Sequence, residues 1–212
     1  MDLRRAAAAL VLAAACWAAP AVADNDCRMM PPAVRDSLVY LGHSESRMCA
    51  AGLKPLWRGV PDGAAQVMRL TFSSGHGFFW RSVTITALPD GSGRMVVVGG
   101  GFKGRNVRSG WVDLRPVRRR LSPETLAALT ALAEQSGTFD HATGTWDRRA
   151  DGEEEIFVHC QTLGMERADA AGYRFSSVNI GCNRPEKLMP LVDEVIRLGG
   201  IAMVRGNWAG YP

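Results

Sequence analysis

Apolar and polar residues alternate along several stretches of the chain. Over residues 67–72, Met68, Leu70 and Phe72 share one face, and over 78–88, Val83, Ile85 and Ala87 do the same. A period of two is the pattern of a half-buried strand. Turn-forming runs separate these stretches: SSGHG at 73–77 and PDGSG at 89–93. A third strand is expected over 94–98. A fourth is expected over 111–117, with Val112 and Leu114 facing in and Asp113 and Arg115 facing out. Together they read as an antiparallel meander.

The period then changes. Leu126, Leu129 and Ala133 lie on one helical stripe. Ser122 is placed to cap that helix, Pro123 and Glu124 suit its first turn, and Gly137 suits its end. Two more strands are expected over 154–163 and 173–182, around a polar loop. A last helix is expected over 185–198, burying Leu188, Leu191, Val192 and Val195. Pro190 inside it implies a kink, or a start nearer 190. Before the strands, AVRDSLVYL and SESRMCAAGL each suggest a short helix, and Pro61-Asp62-Gly63 closes that segment. The order predicts an α+β fold: an antiparallel sheet (meander plus hairpin), two helices packed on one face, and a short disulfide-tied N-terminal helical segment. The expected division is a leader at 1–23, the N-terminal segment at 24–62, the α+β domain at 63–200 and a tail at 201–212.

The first residues change the picture of where the protein works. Arg4 and Arg5 precede an apolar run, and Ala21-Val22-Ala23 fits a small-x-small cleavage site. This is the layout of a secretory signal peptide, so a periplasmic or secreted location is expected. An alternative is lipid anchoring through Cys16, although Ala13-Ala14-Ala15 is a poor lipobox. No later stretch is apolar and long enough to span a membrane. Removal of residues 1–23 from the 212 leaves 189, enough for one domain with a core. It also leaves four cysteines: Cys27, Cys49, Cys160 and Cys182. In an oxidising compartment two disulfides are the default. Of three possible pairings the local ones, Cys27–Cys49 and Cys160–Cys182, are favoured. Each would contribute about 3 kcal/mol by loop entropy. A tight hairpin would put residue 160 opposite something nearer 176, so the second bridge requires a wide loop or a bulge.

The stretch RRRLSPETLAALTALAEQSGTF, followed by a tryptophan and then DGEEEIFVHCQT, resembles a pattern in small bacterial exported proteins of unknown function. There a Leu-Ser-Pro-Glu helix ends near a phenylalanine and leads to an Asp-Gly turn and a strand bearing glutamate. In this chain Asp140 follows the phenylalanine, where an aromatic residue is expected. The resemblance implies export and carries no activity.

Few residues announce chemistry. Gly99, Gly101 and Gly104 spell G-x-G-x-x-G after a run of valines. A dinucleotide site needs a helix to start there and an acidic residue about twenty positions on. RNVRSGW follows instead, and arginines stand near 120. The glycines therefore read as a hinge or bulge using positive φ. The histidines, His43, His76, His141 and His159, lie at no zinc-binding spacing, and no cofactor or metal is expected. Asp140, His141, Trp146 and Asp147 cluster in one loop and, with His159, form a candidate site for a hydrolase or carbohydrate-active enzyme. A disulfide accounts for Cys160 more simply than a nucleophile does. Arg115, Arg118, Arg119 and Arg120 form a basic run. They read either as an anion-binding strip or as protection of an edge strand paired in charge with Glu153, Glu154 and Glu155; the second account is favoured.

The net charge of +4 does not point to nucleic acid. The leading expectation is a non-enzymatic binding or interaction protein of the cell envelope, with an envelope protein or an anionic envelope component as partner. A hydrolase and an inhibitor of a secreted protease or lysozyme are the alternatives.

Overall fold

The computed structural model describes residues 27–35, 42–74, 79–102, 110–139, 160–181 and 184–201. Seven strands form one antiparallel sheet: β1 (Gln66–Ser73), β2 (Phe79–Ala87), β3 (Gly93–Phe102), β4 (Trp111–Asp113), β5 (Val117–Leu121), β6 (Thr162–Asp169) and β7 (Gly172–Val178). The order across the sheet is β4-β3-β2-β1-β6-β7, and β5 continues the β4 edge by pairing with the other end of β3. Four helices accompany it: α1 (Pro32–Arg35), α2 (Gly42–Ala50), α3 (Pro123–Ser136) and α4 (Met189–Gly199).

The alternation read from the sequence sets the first face. Met68, Leu70 and Phe72 of β1 pack with Val83 and Ile85 of β2, Met95 and Val97 of β3, and Leu163 and Met165 of β6. Leu126, Leu129 and Ala133 of α3 and Leu191, Val192 and Val195 of α4 cover that face. The Ser122 side chain caps α3 by accepting from the Thr125 N–H at 3.3 Å, and Gly137 ends the helix in the left-handed region at φ 63°. Pro190 sits in the first turn of α4, so this helix starts near 190 rather than kinking there.

The second face is buried too, by the N-terminal segment. Met29, Met30 and Met48 pack on Trp80, Val98 and Phe175, and Leu56 packs on Val67 and Ala168. The Cys27–Cys49 disulfide ties the segment together. Glu45 of α2 accepts the backbone N–H of Met29 at 2.6 Å, and Trp57 Nε1 donates to the Arg28 carbonyl at 2.8 Å. Beneath the segment lies an ion pair on the sheet itself. Arg69 Nη1 is 3.3 Å from Glu166 Oε2, and Arg69 Nη2 donates to the Lys54 carbonyl at 2.8 Å.

Three sequence expectations are corrected. Gly99, Gly100 and Gly101 form no hinge or bulge: all three are inside β3, in register with Arg81, Trp80 and Phe79, and none has positive φ. Glycine is there for space. A Cβ on Gly99 would lie 2.5 Å from the Trp80 carbonyl oxygen and 2.6 Å from Arg81 Cδ. Val112 does not face inward. It is 41% exposed, on a three-residue edge strand where its partner is Gly101. The hairpin also lies later than expected. The residues assigned to its polar loop form strand β6, and β7 turns back at Ala170–Ala171 and Gly172 (φ 118°).

That shift removes the difficulty with the second disulfide. Leu163 pairs with Val178, and the Gly181 N–H donates to the Gln161 carbonyl at 3.2 Å, so residue 160 lies beside 181 rather than near 176. Cys160 is disulfide-bonded, and Cys182 lies outside the described residues.

Candidate functional site

Where α2 of the N-terminal segment crosses the β3–β4 edge, a groove of about 460 Å³ remains open. Trp80, Val98, Trp111, Leu114 and Pro116 supply its apolar walls, Arg47 and Ala50 come from α2, and Ala51 follows directly after that helix. The volume is in the range of small-molecule sites. Each wall has a local cause. Trp80 is on β2, pointing to the second face, and is 2% exposed. Trp111 opens β4 and packs edge-on against Phe102, with ring centroids 5.3 Å apart. Gly100 lies opposite Asp113 in the β3–β4 ladder. A Cβ on Gly100 would fall 2.7 Å from Trp111 ring atoms and 2.9 Å from Asp113 Oδ1. The missing side chain lets the tryptophan and the carboxylate lie down on the strand.

Arg47 lies against this wall. Its guanidinium carbon is 3.1 Å from the centroid of the Trp111 ring, a cation–π contact. Burial pulls the Arg47 guanidinium below its usual pKa, and the charge of Asp113 offsets this in part. Asp113 Oδ1 accepts from Trp111 Nε1 at 2.8 Å. Asp113 thereby fixes the ring on which Arg47 rests. Trp80 Nε1 is buried and has no hydrogen-bond partner among the described residues, a state that costs roughly 1–3 kcal/mol.

A second concave surface of about 660 Å³ lies further along the same edge, lined by Thr86, Leu88, Arg94, Met95, Val96, Arg118, Arg119 and Arg120. The arginines read from the sequence are therefore placed: Arg118, Arg119 and Arg120 are on β5, and Arg115 lies between β4 and β5, all exposed. β5 pairs only with β3 among the described strands, so Arg118, Arg119 and Arg120 lie on an edge strand. The expected partners Glu153, Glu154 and Glu155 fall outside the described residues, as do Asp140, His141, Trp146, Asp147 and His159.

The groove itself was not anticipated. Its residues come from positions 47, 80 and 111, which no spacing rule connects. The available signal was the glycine run, since a glycine inside a strand marks a close approach. Among the described residues no group of three or more His, Cys, Asp or Glu could hold a metal ion. No helix among them is long and apolar enough to cross a membrane. The chain matches no protein-family model, and no curated protein matches it.

Proposed function

We propose that this is a non-enzymatic binding protein, exported to the cell envelope, that holds an amphipathic organic anion in the groove between α2 and the β3–β4 edge. Arg47 carries this reading. A guanidinium laid on a tryptophan face, in a wall otherwise made of Trp80, Val98, Leu114 and Pro116, offers one positive charge inside an apolar surface. The complementary molecule has an apolar body and one acidic group. Asp113 and Trp111 are already committed to each other, so they orient the arginine and do no proton transfer. The leader-like residues 1–23 and the disulfide-bonded Cys27, Cys49 and Cys160 suit an oxidising compartment.

Anilinonaphthalene sulfonate is a suitable probe, having an aromatic body and a single negative charge. The wild-type protein is expected to bind it at one saturable site. Ala51 is exposed and lines the groove, so Ala51→Trp fills the site without burdening the core. That variant should unfold at the wild-type temperature and lose the site. Arg47→Gln should weaken binding by about tenfold, the worth of one charge-assisted contact. Unchanged probe binding in folded Ala51→Trp protein would rule out the groove.

A further inference from the structure

We infer that the arginine surface at the other end of the same edge is a second site, which binds phosphate-type anions through Arg94, Arg118 and Arg120. The inference does not depend on what occupies the groove.

Strand register brings the three together. Arg94 of β3 is directly opposite Arg120 of β5, and Arg118 is opposite Val96, so all three side chains leave one face of the sheet. Thr86 of β2 is opposite Arg94 on that face and adds a hydroxyl to the lining. Directly opposed like charges on a sheet are destabilising. Arg94, Arg118 and Arg120 are exposed, and none makes a salt bridge to a described residue. Among the described residues, Asp90 feels the charge of Arg120. Its carboxyl is held below the usual range first by hydrogen bonds from Ser92 and only then by the charge of Arg120. Asp90 Oδ1 accepts from both the N–H and the hydroxyl of Ser92, at 2.9 and 2.7 Å, so it is spent on its own turn.

Edge protection alone does not account for this arrangement. Blunting an edge needs charge on the outermost strand, and Arg118, Arg119 and Arg120 of β5 supply it. Arg94 is one strand further in, on β3, where a charge does nothing for the edge. Its effect is to add a third arginine, on the same face as Arg118 and Arg120, to the lining of one concave surface. Guanidinium forks match the oxygens of a phosphate, whose charge would also remove the repulsion between Arg94 and Arg120. Arg119 borders the surface too, but its side chain leaves the opposite face, on the side of its core partner Met95, where its Nη2 approaches Gly200.

The anion can be a lipid headgroup or a free phosphate compound, and the test separates them. Inorganic pyrophosphate is titrated calorimetrically, and phosphatidylcholine vesicles with and without phosphatidylglycerol are tested by co-sedimentation. The wild-type protein is compared with Arg94→Gln/Arg120→Gln and with Arg58→Gln/Arg197→Gln, which removes the same charge from exposed positions on other elements. The first double variant should lose about tenfold or more in affinity, and its residual binding should depend less on salt. The second should bind as wild type. Binding to pyrophosphate supports the site with a free phosphate compound as ligand. Binding only to phosphatidylglycerol vesicles supports it with a headgroup. No binding to either probe, or equal losses in the two double variants, overturns it.

Discussion

Arg69 and Glu166 face each other across the β1–β6 ladder, 3.3 Å apart and both about 98% or more buried, under the N-terminal segment. Burial pushes the Glu166 carboxyl up, while Arg69 and the Tyr173 hydroxyl, which donates to Glu166 Oε1 at 3.3 Å, draw it back in part. Because Arg69 also donates to the Lys54 carbonyl, the pair links the sheet to the segment that forms one wall of the groove. Removing one partner leaves a buried charge alone. Glu166→Gln should cost about 3–5 kcal/mol in urea unfolding, and Arg69→Met/Glu166→Met should recover most of that loss. A loss below about 1 kcal/mol for Glu166→Gln, the worth of a surface pair, would show that the pair is not insulated from water.

Two of the glycines of β3, Gly99 and Gly100, should respond differently to a methyl group. Gly99→Ala places its Cβ against the Trp80 carbonyl oxygen, which the β2–β3 ladder holds in place, as well as Arg81. It should cost roughly 1–3 kcal/mol of stability. Gly100→Ala meets only the side chains of Trp111 and Asp113. These can yield, so the fold should survive while the Arg47–Trp111 stack is displaced, which tryptophan fluorescence would register. A Gly99→Ala protein as stable as wild type would contradict the packing role.

These glycines also show where the sequence is readable. The alternation of Met68, Leu70, Phe72, Val83 and Ile85 and the Ser122 to Gly137 helix signals were legible, because local propensity and tertiary burial agree there. The strand over 94–98 was legible as well, but its continuation through GGGF was not, because glycine has no side chain to show that a strand continues. Nor was β6. Its Met165-Glu166-Arg167-Ala168-Asp169 run resembles a polar loop until Arg69 is known to lie beside Glu166. The groove was invisible for a related reason: Arg47, Trp80 and Trp111 meet only through register and through the absence of a side chain at Gly100.

The Cys27–Cys49 disulfide closes a loop of 22 positions within the segment that covers the second face. Replacing both by serine should lower stability by about 3 kcal/mol. It should also weaken anilinonaphthalene sulfonate binding, since α2 carries Arg47 and Ala50 and leads directly into Ala51. Probe binding at wild-type strength in the serine variant would show that α2 is held by packing alone.

Asp169 gives the fold an acid-sensitive element. Burial pushes its carboxyl up, but the Ala171 N–H, Arg167 and Arg174 outweigh that and hold it below the usual 3.8. The unfolded chain has no such partners, so it protonates first as pH falls. The stability due to Asp169 is therefore complete above the unfolded value and disappears as pH drops through the folded one. Asp169→Asn should flatten the pH dependence of the unfolding midpoint below about pH 4. An unchanged acid limb would remove Asp169 from this role.

The groove is tested most directly by the indole N–H signals in a nuclear magnetic resonance titration with anilinonaphthalene sulfonate. Trp80 and Trp111 line the groove, whereas Trp57 Nε1 is bonded to the Arg28 carbonyl and does not line it. The account predicts that the Trp80 and Trp111 signals shift together and saturate at one equivalent of probe, while Trp57 stays in place. Movement of Trp57 with Trp80 and Trp111 unchanged would contradict it.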